Sequence, residues 1–75
     1  MSLYHTYQIM NESELNVNNF TSVTVYDGLI SLIGNYSIEL YEKCQSLGYK
    51  FEWNQEFKFF KAKNEIIEIH LFIKP

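Results

Sequence analysis

Residues 49–73 contain three runs in which apolar and polar side chains alternate, and that alternation constrains the fold more than any other feature of the chain. Successive side chains on a strand point to opposite faces, so an antiparallel pairing is acceptable only if apolar residues meet on one side. A three-residue loop at Asn54, Gln55 and Glu56 satisfies this by placing Trp53 opposite Phe57, Phe51 opposite Phe59 and Glu52 opposite Lys58. A second odd loop at Lys63, Asn64 and Glu65 places Phe59 opposite Ile69 and Phe57 opposite Leu71, with Lys58 facing His70 and Phe60 facing Glu68 on the other side. Asn64 suits a left-handed turn position. The pattern therefore predicts a three-stranded meander whose core face carries Tyr49, Phe51, Trp53, Phe57, Phe59, Ile67, Ile69, Leu71 and Ile73.

A second hairpin is expected over Ser22 to Ile33, because Asp27-Gly28 between alternating runs is the dipeptide favoured by a type I′ turn. Val25 then faces Ile30 and Val23 faces Leu32, with Thr24 opposite Ser31. Gly34 ends this strand, Asn35 or Ser37 can cap a helix, and Tyr36 to Leu47 places Ile38, Leu40, Tyr41, Cys44 and Leu47 near one side. Gly48 is positioned as the C-terminal cap. Leu3 to Met10 reads as a first strand with no assigned partner, and the asparagine-rich stretch Asn11 to Asn19 as a loop with one helical turn after Ser13. The expectation is a single α+β domain over residues 1–75, built from an N-terminal strand, a hairpin, one helix and the meander, in which the helix packs on a mostly antiparallel sheet.

A chain of 75 residues buries a modest share of its surface and needs reinforcement. Cys44 is the only cysteine, which excludes an internal disulfide, and with His5 and His70 it forms no metal-ligand spacing, so no metal or cofactor is expected. Aromatic packing and self-association remain, and 17% aromatic residues favour the first. No window has the apolar length of a membrane span, and the N-terminus lacks signal-peptide character, so a cytoplasmic protein without a membrane partner is expected. The Asn-x-Ser/Thr triplets at Asn11, Asn19 and Asn35 then carry no meaning for glycosylation.

Charge is unevenly divided. Residues 1–42 hold Asp27, Glu12, Glu14, Glu39 and Glu42 with no basic residue, whereas residues 43–75 hold six lysines against Glu52, Glu56, Glu65 and Glu68, for a total of -3. There is no arginine, which weighs against a dedicated phosphate-binding surface. The carboxylates fall at turn or solvent positions and form no acid/base pair, no glycine loop could cradle a phosphate, and Cys44 lies on the apolar side of the helix. His70 sits on the outward face without a nucleophile beside it. A non-enzymatic protein is expected.

The outward face of the predicted meander carries Phe60, Phe72, Ile66 and Ala62 beside Lys50, Glu52, Lys58, Glu68 and His70, more apolar groups than a solvated face needs. Its cover comes either from this chain, through Tyr4, Tyr7 or Phe20, or from a homodimer or a protein partner. Phe60, Ile66, His70, Phe72 and Lys58 are the candidate interface. The leading expectation is a protein-interaction module that works through sheet surface or a sheet edge. Strand 65–73 could pair with its own copy if it lies at an edge. Small size, acidity and a high load of Asn, Lys, Ile and Tyr suit a phage or mobile-element accessory of the immunity or anti-defence type.

The alternative is a nucleic-acid-binding module using the aromatics and lysines of the meander. The junction Cys44-Gln45-Ser46-Leu47-Gly48-Tyr49, followed by Phe51-x-Trp53 and a Lys-x-aromatic run, resembles small DNA-associated modules of the HARP type over a short stretch. That likeness implies no individual site residue.

Overall fold

The computed structural model describes residues 14–73. The strand expected over Leu3 to Met10 lies outside the described residues. Among the described residues one α-helix and five strands form an α+β fold: β1 (Ser22–Tyr26), β2 (Leu29–Asn35), α1 (Ile38–Ser46), β3 (Glu52–Asn54), β4 (Phe59–Lys63) and β5 (Ile67–Phe72). The sheet runs in the order β1-β2-β5-β4-β3, antiparallel throughout except for the central β2–β5 pair, which is parallel. β5 is thus an interior strand, held between β2 and β4, and is not available as an edge.

The first hairpin has the expected register, with Val25 opposite Ile30, Thr24 opposite Ser31 and Val23 opposite Leu32. Asp27 and Gly28 both have positive φ, 53° and 79°, as a type I′ turn requires. Helix α1 begins at Ser37, whose Oγ accepts from the Leu40 N–H at 3.1 Å. It ends in a Schellman arrangement at Gly48, φ 100°. The Gly48 N–H donates to Gln45 O and the Tyr49 N–H to Cys44 O, at 3.0 and 3.1 Å.

The helix lowers Leu40 and Cys44 onto Ile30, Leu32, Ile67, Ile69 and Leu71, all buried. The asparagine-rich stretch contributes more than a loop. Its helical turn is a 3-10 turn at Val17–Asn19, closed by Asn16 Oδ1, which accepts from the Asn18 N–H, and it seats Leu15 and Phe20 in the same core.

The meander β3-β4-β5 is present, but both of its registers are displaced by three residues from the expected ones. Trp53 pairs with Phe60 in place of Phe57, and Glu52 with Lys61 in place of Lys58. Across the next pair, Phe60 faces Leu71, Ala62 faces Ile69, Lys61 faces His70 and Phe59 faces Phe72. The cause is the chemistry of the turns. Asn54 Oδ1 accepts from the Phe57 N–H at 2.9 Å and Asn54 O from the Lys58 N–H at 2.9 Å, while Lys58 reverses the chain at φ 59°. Four residues, Gln55 to Lys58, are consumed where three were expected.

Asn64 is not among the positive-φ residues. Its Oδ1 accepts from the N–H groups of Ile66 and Ile67, at 2.9 and 2.8 Å, so the side chain organises the turn in place of the backbone.

An odd displacement exchanges the two faces of β4. Ala62 and Phe60 face the helix, and Phe59 faces away from it. Of the expected core, Tyr49, Ile67, Ile69 and Leu71 are buried under the helix and Phe51 packs against them. Phe57, in contrast, is 63% exposed, Trp53 43% and Ile73 41%.

Gly34 does not end β2. It lies within the strand on the helix side, where an added Cβ would stand 3.1 Å from Phe20 Cδ1 and 3.2 Å from Asn19 O. Gly34→Ala must push the Asn19–Phe20 backbone off the sheet, an overpacking cost of about 1–3 kcal/mol. A urea titration should show the midpoint falling accordingly with the slope unchanged.

Candidate functional site

Helix α1 has nine residues and lies over the middle of a five-stranded sheet. A helix about 10 Å across cannot span five strands spaced about 4.8 Å apart. On the β1–β2 side the remainder is covered by Leu15 and Phe20. On the β3 side the cover is a set of aromatic rings that shield one another.

Phe60 is the centre of that set. Its ring centroid lies 5.2 Å from Tyr36, 5.1 Å from Tyr41, 4.8 Å from Trp53 and 6.5 Å from Phe51. Tyr41 stacks on Phe51 at 4.8 Å and meets Tyr36 edge-on at 5.8 Å. These separations fall in the favourable range for aromatic pairs. Tyr36, Tyr41, Phe51 and Phe60 are half-buried, and Trp53 is exposed. Trp53 Nε1 donates to Gln55 Oε1 at 2.8 Å, which fixes the indole beside the short edge strand β3. Ile38, one helical turn before Tyr41 and 51% exposed, extends the strip along the helix.

The far face of the sheet carries a second aromatic group. Phe59 stacks on Phe72 at 4.8 Å and on His70 at 4.9 Å. His70 Nε2 is 2.6 Å from Glu68 Oε1, and Lys61 Nζ lies 3.4 Å from the same oxygen. Chiefly the hydrogen bond from His70, aided by the charge of Lys61, holds the Glu68 carboxyl below the usual carboxylate range against the opposing effect of burial. Lys50, Glu52, Lys61 and Lys63 line an open cleft beside this group.

The candidate interface residues are therefore not one cluster. His70 and Phe72 stand together with Phe59 on the far face, whereas Phe60 is on the helix side. Ile66 is 41% exposed at the β4–β5 turn, and Lys58 is in the β3–β4 loop, where its carbonyl accepts from the Ile73 N–H at 3.3 Å. Tyr36, Tyr41, Phe51 and Trp53 were assigned to no site by alternation. Their signal was the presence of aromatics at both parities around Phe57 to Phe60.

His70 and Glu68 are joined by a hydrogen bond, and although Ser31 stands opposite Glu68 on β2, among the described residues no hydroxyl or thiol hydrogen-bonds to His70. Cys44 is buried in the core, where burial pushes its thiol up to about 11 against the opposing charge of Lys43. Among the described residues no three His, Cys, Asp or Glu side chains gather to hold a metal ion, and no helix is long and apolar enough to cross a membrane. Compared with known proteins, the chain matches no family model, no curated protein and no solved structure.

The depressed Glu68 carboxyl contributes stability that is present above its unfolded-state value and is lost as pH falls through the lower folded-state value. Glu68→Gln removes that contribution. Denaturation of wild type and variant across acidic pH should show wild type ahead near neutrality and the two curves converging at the acidic end.

Proposed function

We propose that the protein is a small non-enzymatic interaction module that binds a protein partner through the aromatic strip of Tyr36, Tyr41, Phe51, Trp53 and Phe60. The observation that carries this reading is the exposure of Trp53, 43%, at the rim of rings already packed on one another. Tryptophan and tyrosine dominate the energetics of protein interfaces, and rings held by their neighbours lose little further freedom on binding. Gln55, whose Oε1 accepts from the Trp53 indole, borders the strip with a neutral polar group of the kind found at the rim of such a surface. A stoichiometric binder of this kind, acting in the cytoplasm, suits an accessory factor of the immunity or anti-defence type, which works by occupying another protein's surface.

The displaced register gives the nucleic-acid reading one argument of its own, since Phe59, His70 and Phe72 share a face with Lys61 and Lys63. Two features favour the protein partner. Phe59 is only 8% exposed, leaving no ring face for a base to stack on, and the net charge is -3 without a single arginine.

Trp53→Ala should keep the fold by circular dichroism while lowering the melting point modestly, because the indole is partly exposed but still packs on Phe60. Wild-type protein immobilised and exposed to extract of its own source cells should retain a partner in stoichiometric amount. Affinity for that purified partner should fall about 30-fold or more in Trp53→Ala, the effect of losing an interface hot spot of about 2 kcal/mol. Undiminished affinity in Trp53→Ala, or salt-sensitive oligonucleotide binding with no protein partner, would overturn the reading.

A further inference from the structure

The two edges of the sheet are built differently. β3 is three residues long, carries Glu52 and is preceded by Lys50, the short and charged form that resists pairing with another chain. β1 is a five-residue strand, Ser-Val-Thr-Val-Tyr, with no charge and no proline.

The hydrogen bonds of β2 determine which way the backbone of β1 points. The Ile30 N–H donates to Ile66 O at 2.8 Å and the Tyr36 N–H to Phe72 O at 2.9 Å, so the even-numbered residues of β2 bond toward β5. Leu29, Ser31 and Ile33 therefore bond toward β1, where their register partners are Tyr26, Thr24 and Ser22. Val23 and Val25 are left with their N–H and C=O groups directed out of the sheet edge. No described strand pairs there.

We infer that this edge is a self-association site at which β1 of a second copy of the chain adds antiparallel, around a two-fold axis at Thr24. The register follows from the outward groups. Val23 and Val25 each exchange both backbone hydrogen bonds with Val25 and Val23 of the second copy, and Thr24 stands opposite Thr24. Ser22 then meets Tyr26, which is 83% exposed in the single chain. Such an axis, perpendicular to the sheet, preserves its faces: the valines of both copies lie on the helix side and the threonines on the far side. Asp27 falls opposite Thr21, so no like charges meet. A closed, self-complementary contact results. This inference is independent of the aromatic strip, which lies at the opposite end of the sheet.

Sedimentation of the full chain over a wide concentration range tests it, with Thr24→Lys and Thr24→Glu as variants. Thr24 is exposed and its side chain makes no core contact, so both should fold. Wild type should reach twice the monomer mass of 9.0 kDa. Each variant alone should dimerise about tenfold more weakly or worse, since like charges would stand directly opposed. An equimolar mixture of the two should recover dimer, because the lysine of one variant then stands opposite the glutamate of the other. Amide exchange at Val23 and Val25 should be slow in wild type and fast in Thr24→Lys, and Trp53→Ala should leave the mass unchanged. A wild type that stays monomeric at every concentration would overturn the inference. So would dimerisation of Thr24→Lys at wild-type strength, or slow exchange at Val23 and Val25 in a monomer, which would give the edge to another segment of the same chain.

Discussion

Two asparagine carboxamides decide which way every side chain of β4 faces. Asn54 and Asn64 stand at the two ends of this strand's connections, and each uses Oδ1 to gather backbone N–H groups that a reversing chain would otherwise leave free. Once the two turns have these lengths, the registers of both flanking pairs are determined, and with them the partition of Phe59 from Phe60. One ring becomes the centre of the helix-side strip and the other the centre of the far-side stack. Had either turn been one residue shorter, the strand would present its lysines to the helix.

The second constraint is one of width. A single short helix on five strands leaves apolar area at both flanks, and the chain covers the flanks by different means. Near β1 and β2 a compact 3-10 turn delivers Leu15 and Phe20, and the close approach of Phe20 to Gly34 shows how tightly that flank is closed. Near β3 no such segment is described, and large rings lie over one another instead. Rings can cover area without a backbone above them, but their outer faces stay wet. The same residues thus count as core on one side and as surface on the other.

What was legible in the sequence follows the range of the interactions concerned. The β1–β2 register is correct because Asp27-Gly28 is a local turn that admits essentially one geometry. The helix is correct for the same reason, with Ser37 and Gly48 marking its ends chemically. The existence and order of the meander strands were also readable. Their register was not, because Phe57, Phe59 and Phe60 give apolar residues at both parities, and alternation then has nothing to choose between. The parallel β2–β5 pairing joins residues far apart in the chain, and no local signal reports it. Phe60 was expected on the outward face of the meander, but its pairing with Leu71 puts it on the helix side. His70 and Phe72 do share a face, and Glu68 beside His70 follows simply from their two-residue spacing on one strand.

Tyr49 has a further consequence. Its backbone N–H completes the helix cap, its ring is buried in the core, and its hydroxyl accepts from Asn64 Nδ2 at 3.3 Å. One residue thereby ties the end of the helix to the turn that sets the β4–β5 register. Burial raises its phenol above the ordinary value, against the opposing effect of the hydrogen bond from Asn64. The helix cannot lift from the sheet without loosening the turn, and the turn cannot slip without disturbing the helix. Local opening of either should therefore cost nearly as much as opening both, so that the small chain gains cooperativity where it cannot gain size.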